Sequence, residues 1–296
     1  SLYYGVFGFL EDHLDCRFYS RNEEYVPSRR DLALPPIDDA QKPAFQVRGA
    51  VWGVKPDDIL GLKLRAGGLP FCSLLAGHNI STFADAKNNF EKHPDWYALR
   101  PDGSRLDWSL CGTSEGAAKN VARLLVEEYG KRKLAERPEG DRFLSVAQMD
   151  GNYANCCCKA CTELIEREES EAAPLFLLLN RALEEAQKTH PDLALSTYAY
   201  FNTLLPPKTL KPNPKFWACV VSSSLSQNQA GDQLNGILES SSNRHYRDGI
   251  KAWTAYLDGR TSIYHWEGPD PGNSEHSEWP NLFCHSEDYR YWRDCG

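Results

Sequence analysis

Short apolar runs alternate with longer segments of helical periodicity along most of this chain. Six such runs predict buried strands, at 44–51, 69–76, 143–148, 193–200, 216–221 and 261–266. Apolar residues at helical spacing predict helices over 116–129, 159–188 and 245–257. Pro174 should kink or divide the longest of these helices, because proline removes a backbone donor. Strands that alternate with helices in this way are typical of parallel βα units.

The order of these elements favours a (β/α)₈ barrel of the TIM type. An open doubly wound sheet is less suitable, because no glycine-rich phosphate loop follows the first predicted strand. The barrel is predicted to occupy residues 44–296, after a segment 1–43 that contains a helix over 3–14 and a proline-containing polar linker. Six strands are predicted and there is room for a seventh, so the last βα unit, and with it the C-terminal end of the barrel, is expected to be missing.

Composition and charge exclude several classes of protein. The chain of 296 residues has 41% hydrophobic and 25% charged residues, which predicts a globular protein with a core. Its net charge of −8 argues against a nucleic-acid partner, and no apolar run is long enough to span a membrane. The chain begins with Ser1 and shows no signal peptide, so we interpret it as a fragment or a processed chain. Its eight Trp and fourteen Tyr residues suit the binding of sugars.

Candidate functional residues follow the predicted strands, because the functional groups of such barrels lie where strands end. They combine aromatic rings that can stack on a sugar, polar groups that can hold hydroxyls, and carboxylates for acid–base chemistry. The catalytic candidates are Asp150 and Glu267, and the candidates for substrate binding are Arg48, Trp52, His78, Asn79, Gln148, Tyr200 and Trp266.

Each of these residues also has a structural interpretation. A half-desolvated Asp150 would suit a general acid, but the neighbouring Gly151 and Asn152 favour an aspartate that caps a turn at the strand end. Glu267 is a second catalytic carboxylate, a hydroxyl ligand or a loop residue. Arg48 within an apolar strand predicts a ligand or a structural ion pair. His78 and Asn79 could orient substrate or bond a neighbouring loop, and the sequon that begins at Asn79 is interpreted as chance.

Three of the ten cysteines form a C-x-C-x-x-C motif, at Cys156, Cys158 and Cys161. Disulfides that pin the loop beside Asp150 are the first interpretation, and the cysteine count suits an exported protein. A metal site is the second, because structural zinc requires four ligands and neither a histidine nor a second CxxC lies nearby in the sequence. Reduced thiols without a bond are a further alternative, redox catalysis comes last, and no cofactor is expected.

Several motifs together resemble glycoside hydrolase family 163, bacterial endo-β-N-acetylglucosaminidases that cleave complex N-glycans. The supporting segments run through most of the chain in order: the opening Tyr4-Gly-Val-Phe-Gly-Phe-Leu, Phe45-Gln-Val-Arg-Gly, Gly77-His, His93-Pro-Asp-Trp-Tyr, Leu110-Cys, Ser145-Val-Ala-Gln-Met-Asp and the three cysteines. The resemblance implies a glycan or glycoprotein substrate and a secreted or periplasmic location. It also implies that residues 1–43 end a small α/β domain like that of α-glucuronidases, and that an eighth strand follows Gly296.

A more distant resemblance to family 20 hexosaminidases implies individual roles. Arg48 would anchor sugar hydroxyls, His78 would correspond to a Pro-Gly-His motif, and Asp150 would be the general acid of a retaining enzyme. Met149 stands where those enzymes orient the acetamido group of the substrate, and methionine cannot donate that hydrogen bond. The alternatives are therefore a carbohydrate-binding remnant without turnover, or a hydrolase for another sugar such as an α-glucuronide.

Overall fold

The computed structural model of the chain describes residues 2–19, 21–45, 48, 59–67, 77–138, 142–222, 243–265 and 285–296. They belong to two compact units, Ser1–Cys72 and Ser73–Gly296. The predicted strands at 44–51 and 69–76 lie almost entirely outside the described residues. The predicted boundary at residue 44 stays a prediction.

The first unit contains short elements around one helix. They are α1 (Leu2–Leu14), β1 (Arg17–Phe18), β2 (Glu24–Tyr25) and α2 (Ile59–Lys63). Strands β1 and β2 pair in antiparallel orientation, and Phe7 of α1 contacts Phe18 of β1 with ring centroids 5.2 Å apart. The helix predicted at the start of the chain is confirmed.

The second unit alternates strands and helices. Its elements are α3 (Ile80–Ala84), α4 (Ala86–Asn89), β3 (Tyr97–Leu99), β4 (Arg105–Leu110), α5 (Glu115–Lys131), β5 (Phe143–Ser145), α6 (Lys159–Glu168), α7 (Ala173–Ala186), β6 (Ala194–Ala199), β7 (Phe216–Ser222), α8 (Arg244–Tyr256), β8 (Thr261–His265) and α9 (His285–Cys295). Strands β5, β6, β7 and β8 form one parallel sheet in sequence order. The prediction of parallel βα units is thus confirmed for these four strands, whereas the antiparallel hairpin of β3 and β4 was not predicted.

The division of the predicted helix 159–188 is also confirmed. Helix α6 ends at Glu168, the next residue adopts a left-handed backbone, and Pro174 lies in the first turn of α7. Proline is tolerated there because the first backbone amides of a helix have no intrahelical acceptor. Gly112 lies so close to this turn that an added Cβ would be 2.3 Å from the Pro174 carbonyl oxygen. This contact brings the end of β4 against the start of α7.

Helices cover one face of the parallel sheet. Phe216 of β7 contacts Phe176 of α7 with ring centroids 4.9 Å apart, and Phe176 in turn contacts Trp253 of α8. All three rings are buried, and they form the aromatic centre of the core on this side of the sheet.

The opposite face carries the side chains that lead to the carboxyl edge. Tyr198 of β6 pairs with Cys219 of β7, and Val221 pairs with Tyr264 of β8, so these residues point to the same side. Together with Ala147 they form a cluster of contacting side chains.

The fold is therefore mixed α/β with a four-stranded parallel sheet. The strands that the structure describes do not close into a barrel. Among the described helices, none has both the length and the apolar content that a bilayer crossing requires.

Candidate functional site

Three side chains from separate segments meet at the carboxyl edge of the parallel sheet. Asp150 lies in the loop after β5, Tyr200 directly follows β6, and His78 precedes α3. The Tyr200 hydroxyl donates a hydrogen bond of 2.8 Å to Asp150 Oδ1. The backbone N–H of Gly151 donates to the same oxygen at 2.9 Å, and His78 Nε2 lies 3.6 Å from it. Three of the residues that the sequence predicted for the site are thus adjacent.

The orientation of His78 is determined by its second nitrogen. His78 Nδ1 lies 2.8 Å from the carbonyl oxygen of Gln148, which can only accept a hydrogen bond. Nδ1 therefore carries the proton of the neutral ring, and Nε2 faces Asp150. Nε2 has a proton to offer Asp150 only when the imidazole is charged.

Asn79 and Gln148 use their amide groups within the protein. The Asn79 amide nitrogen donates to the carbonyl oxygen of Ser145 at 2.8 Å, and its Oδ1 accepts from the backbone N–H of Ala147 at 2.8 Å. The fully buried Gln148 donates to the Gly151 carbonyl oxygen at 2.7 Å. We therefore assign both residues a positioning role, because they hold the strand end and the loop that carry Asp150. Glycosylation of Asn79 would conflict with these bonds, in agreement with the interpretation of its sequon as chance.

Aromatic rings lie on one side of this carboxylate. His78 contacts Tyr198 edge-on with ring centroids 5.6 Å apart, and it lies 6.2 Å from the ring of Tyr200. Burial, and then the adjacent charge and hydrogen bond of Asp150, raise the pKa of Tyr200 well above its ordinary value. The Tyr200 hydroxyl therefore keeps its proton and remains a donor. Tyr264, which the sequence analysis did not single out, joins this group through its register on β8.

The environment of Asp150 differs from the one predicted. Its side chain is 76% exposed, so the expected half-desolvation of the carboxylate is wrong for the free protein. The cause is local: Asp150 stands beyond the end of β5, and Gly151 turns the chain with a φ of +88°. The bond from the Gly151 N–H shows that Asp150 also caps this turn.

The remaining predicted residues lie elsewhere. Arg48 belongs to the first unit, where its guanidinium donates to the carbonyl oxygens of Arg65 at 2.9 Å and Phe45 at 2.6 Å and lies over the ring of Tyr4. Among the residues that the structure describes, these partners are backbone carbonyls and an aromatic ring, and none is the acidic side chain of the predicted ion pair. Trp52, Trp266 and Glu267 lie outside the described residues.

The C-x-C-x-x-C motif has a fourth cysteine beside it. The sulfurs of Cys111, Cys156, Cys158 and Cys161 lie within 4.8 Å of one another. None of the eight cysteines that the structure describes forms a disulfide, so the predicted loop-pinning disulfide is wrong for this motif. Hydrogen bonds from the thiols of Cys156 and Cys161 hold the pKa of the Cys111 thiol far below its ordinary value. Local spacing could not reveal Cys111, because this residue follows β4, far from the motif along the chain.

Comparison with known proteins identifies one family. A family model described as "Domain of unknown function (DUF4838)" matches residues 18–269. This span includes the carboxylate site and all four clustered cysteines. No curated protein and no solved structure matches the chain.

Proposed function

Because the chain belongs to the DUF4838 family, whose function is unknown, we propose a function from the chemistry of its own residues. It is a glycoside hydrolase that cleaves glycans containing N-acetylglucosamine, with Asp150 as the general acid. The observation that carries this proposal is the convergence of a carboxylate, a tyrosine and a histidine at the carboxyl edge of a parallel sheet. The resemblance of the sequence to family 163 adds the substrate class and a secreted or periplasmic location.

A (β/α)₈ barrel, incomplete at its C-terminal end, is the architecture that we propose for the fold. The strand order β5-β6-β7-β8 follows the sequence, as it does around a barrel. Helices pack on one face of the sheet, and the opposite face carries the buried side chains of Tyr198 and Cys219. In a barrel that second face is the interior, and its carboxyl edge is the active-site end.

One oxygen of the Asp150 carboxyl group is held by the protein, and the other is left for proton transfer. The bonds from Tyr200 and Gly151 and the contact with His78 all involve Oδ1, so Oδ2 is the oxygen that would carry the proton. This proton passes to the glycosidic oxygen as the bond to the anomeric carbon breaks. A sugar that stacks on Tyr200 would exclude water from Asp150 and supply the desolvation that the free site lacks.

Retention of configuration requires a second group on the opposite side of the anomeric carbon. We propose Glu267 for this role, with the carboxyl groups about 5–5.5 Å apart if it attacks directly. The acetamido group of the substrate is the other candidate nucleophile, although Met149 offers it no hydrogen bond.

The mass of the glycans released from a complex N-glycoprotein tests this function. We expect release that leaves one N-acetylglucosamine on the protein, and a loss of at least about a hundredfold in Asp150→Asn, the lower end of the general acid–base contribution. Asp107→Asn is a matched control, because it neutralises an exposed aspartate on β4 of the same unit. Equal release by wild type and Asp150→Asn would refute Asp150 as the acid.

A carbohydrate-binding module without turnover is the second candidate. The exposure of Asp150, with Oδ1 already accepting two hydrogen bonds, favours it. This candidate predicts that glycans bind to wild type and to Asp150→Asn alike, with no product from either. Isothermal titration with the same glycans distinguishes the two functions.

A further inference from the structure

The four clustered cysteines come from three segments of the second unit. Cys111 directly follows β4, Cys156 and Cys158 lie in the loop before α6, and Cys161 lies in the first turn of α6. Three of the side chains are buried, and Cys158 is partly buried. A fifth cysteine, Cys157, is exposed and outside the cluster, although its two neighbours in the sequence belong to it.

The distances between the sulfurs match tetrahedral coordination of one ion. Zinc–sulfur bonds are about 2.3 Å long, so two sulfurs at adjacent corners of a regular tetrahedron are about 3.8 Å apart. Cys111 Sγ lies 3.8 Å from Cys158 Sγ and 3.7 Å from Cys161 Sγ. A disulfide would require about 2.05 Å between two sulfurs, which is much shorter than these distances. One disulfide would also leave the other two thiols of the cluster without a role.

Hydrogen-bond donors lie beside two of the sulfurs, as they do around metal-bound thiolates. The backbone N–H of Leu99 donates to Cys156 Sγ at 3.2 Å, and Thr113 Oγ1 lies 3.4 Å from Cys161 Sγ. The cluster also lies at the N-terminus of the ten-residue helix α6, where the helix dipole favours negative charge. Hydrogen bonds of this kind orient the metal ligands and stabilise their charge.

We propose that Cys111, Cys156, Cys158 and Cys161 bind one structural zinc ion. The four thiolates complete the coordination sphere, so the ion has no open position for a substrate and plays no part in the reaction. It links the end of β4 to the start of α6, and it holds the C-terminal end of the loop between β5 and α6, which contains Asp150. This inference does not depend on the glycosidase proposal.

Metal analysis of the purified chain, without added zinc, tests the proposal. We expect about one zinc per chain in the wild type and in Cys157→Ser, and X-ray absorption at the zinc edge should show four sulfurs at about 2.3 Å. Cys158→Ser should lose most of the zinc, whereas Cys158→His should retain it because imidazole is also a zinc ligand. Cys158 suits this pair of variants because its side chain is only partly buried.

Unfolding measurements distinguish a variant that has lost zinc from a variant that does not fold. A chelator should lower the midpoint of thermal unfolding of the wild type and of Cys157→Ser, and it should not affect Cys158→Ser. Three results would overturn the proposal: iron in place of zinc, a disulfide within the cluster in the mass spectrum, or a folded wild type with four titratable thiols and no metal.

Discussion

Substitution of Asn79 by alanine tests whether this residue positions the loop of Asp150. The change removes the two hydrogen bonds to the backbone of Ser145 and Ala147, both of which are buried. A buried backbone group left without a partner costs about 1–3 kcal/mol, so for two such groups we expect a loss of about 2–6 kcal/mol in the free energy of unfolding. For a unit of this size, each kcal/mol lowers the melting temperature by about 2–4 °C.

Urea unfolding, followed by circular dichroism, measures this loss. Ser81→Ala is the matched control, because it destroys the same sequon and leaves the Asn79 amide in place. We expect Ser81→Ala to unfold within about 0.5 kcal/mol of the wild type. If Asn79→Ala shows an equally small change, or if the two variants lose the same stability, the positioning role of Asn79 is refuted.

Two further predictions concern the site and the core. Tyr200→Phe removes the hydrogen bond to Asp150, which is worth about 0.5–1.5 kcal/mol at this exposed carboxylate, so kcat/KM for glycan release should fall about twofold to tenfold. An unchanged rate would show that this bond does not orient the acid. Burial alone would raise the pKa of Glu168, but hydrogen bonds from Thr209 and the backbone N–H of Leu210 lower it below its ordinary value. The stability from Glu168 is therefore complete above about pH 4.3 and lost as the pH falls through the lower folded-state pKa. Urea unfolding between about pH 7 and pH 3 should show a smaller acid loss in Glu168→Gln than in the wild type, and equal losses would contradict this.

Much of the second unit could be predicted from local patterns. The helices near 116–129 and 245–257 and the four strands of the parallel sheet agree with the apolar periodicity, and the break near Pro174 agrees with the chemistry of proline. The hairpin of β3 and β4 was missed, because β3 has only three residues and β4 places the exposed Asp107 and Trp108 in the middle of its run.

The candidate site could be predicted only in part. His78, Asp150 and Tyr200 were chosen because they follow strands, and they are neighbours in the structure. The exposure and the hydrogen-bond partners of these side chains could not be predicted from their positions after strands. Asp150 is exposed and not half-buried, and the amides of Asn79 and Gln148 are bonded to the backbone.

The sequence by itself determined the alternation of strands and helices, because backbone geometry and the burial of one face repeat over a few residues. Only the tertiary structure decided which distant groups meet. His78 bonds Gln148 across 70 positions of the chain, and Cys111 completes a cluster whose other members lie in a separate loop and helix. Such contacts depend on how the sheet and its connections fold in space, and no local spacing of residue types encodes them.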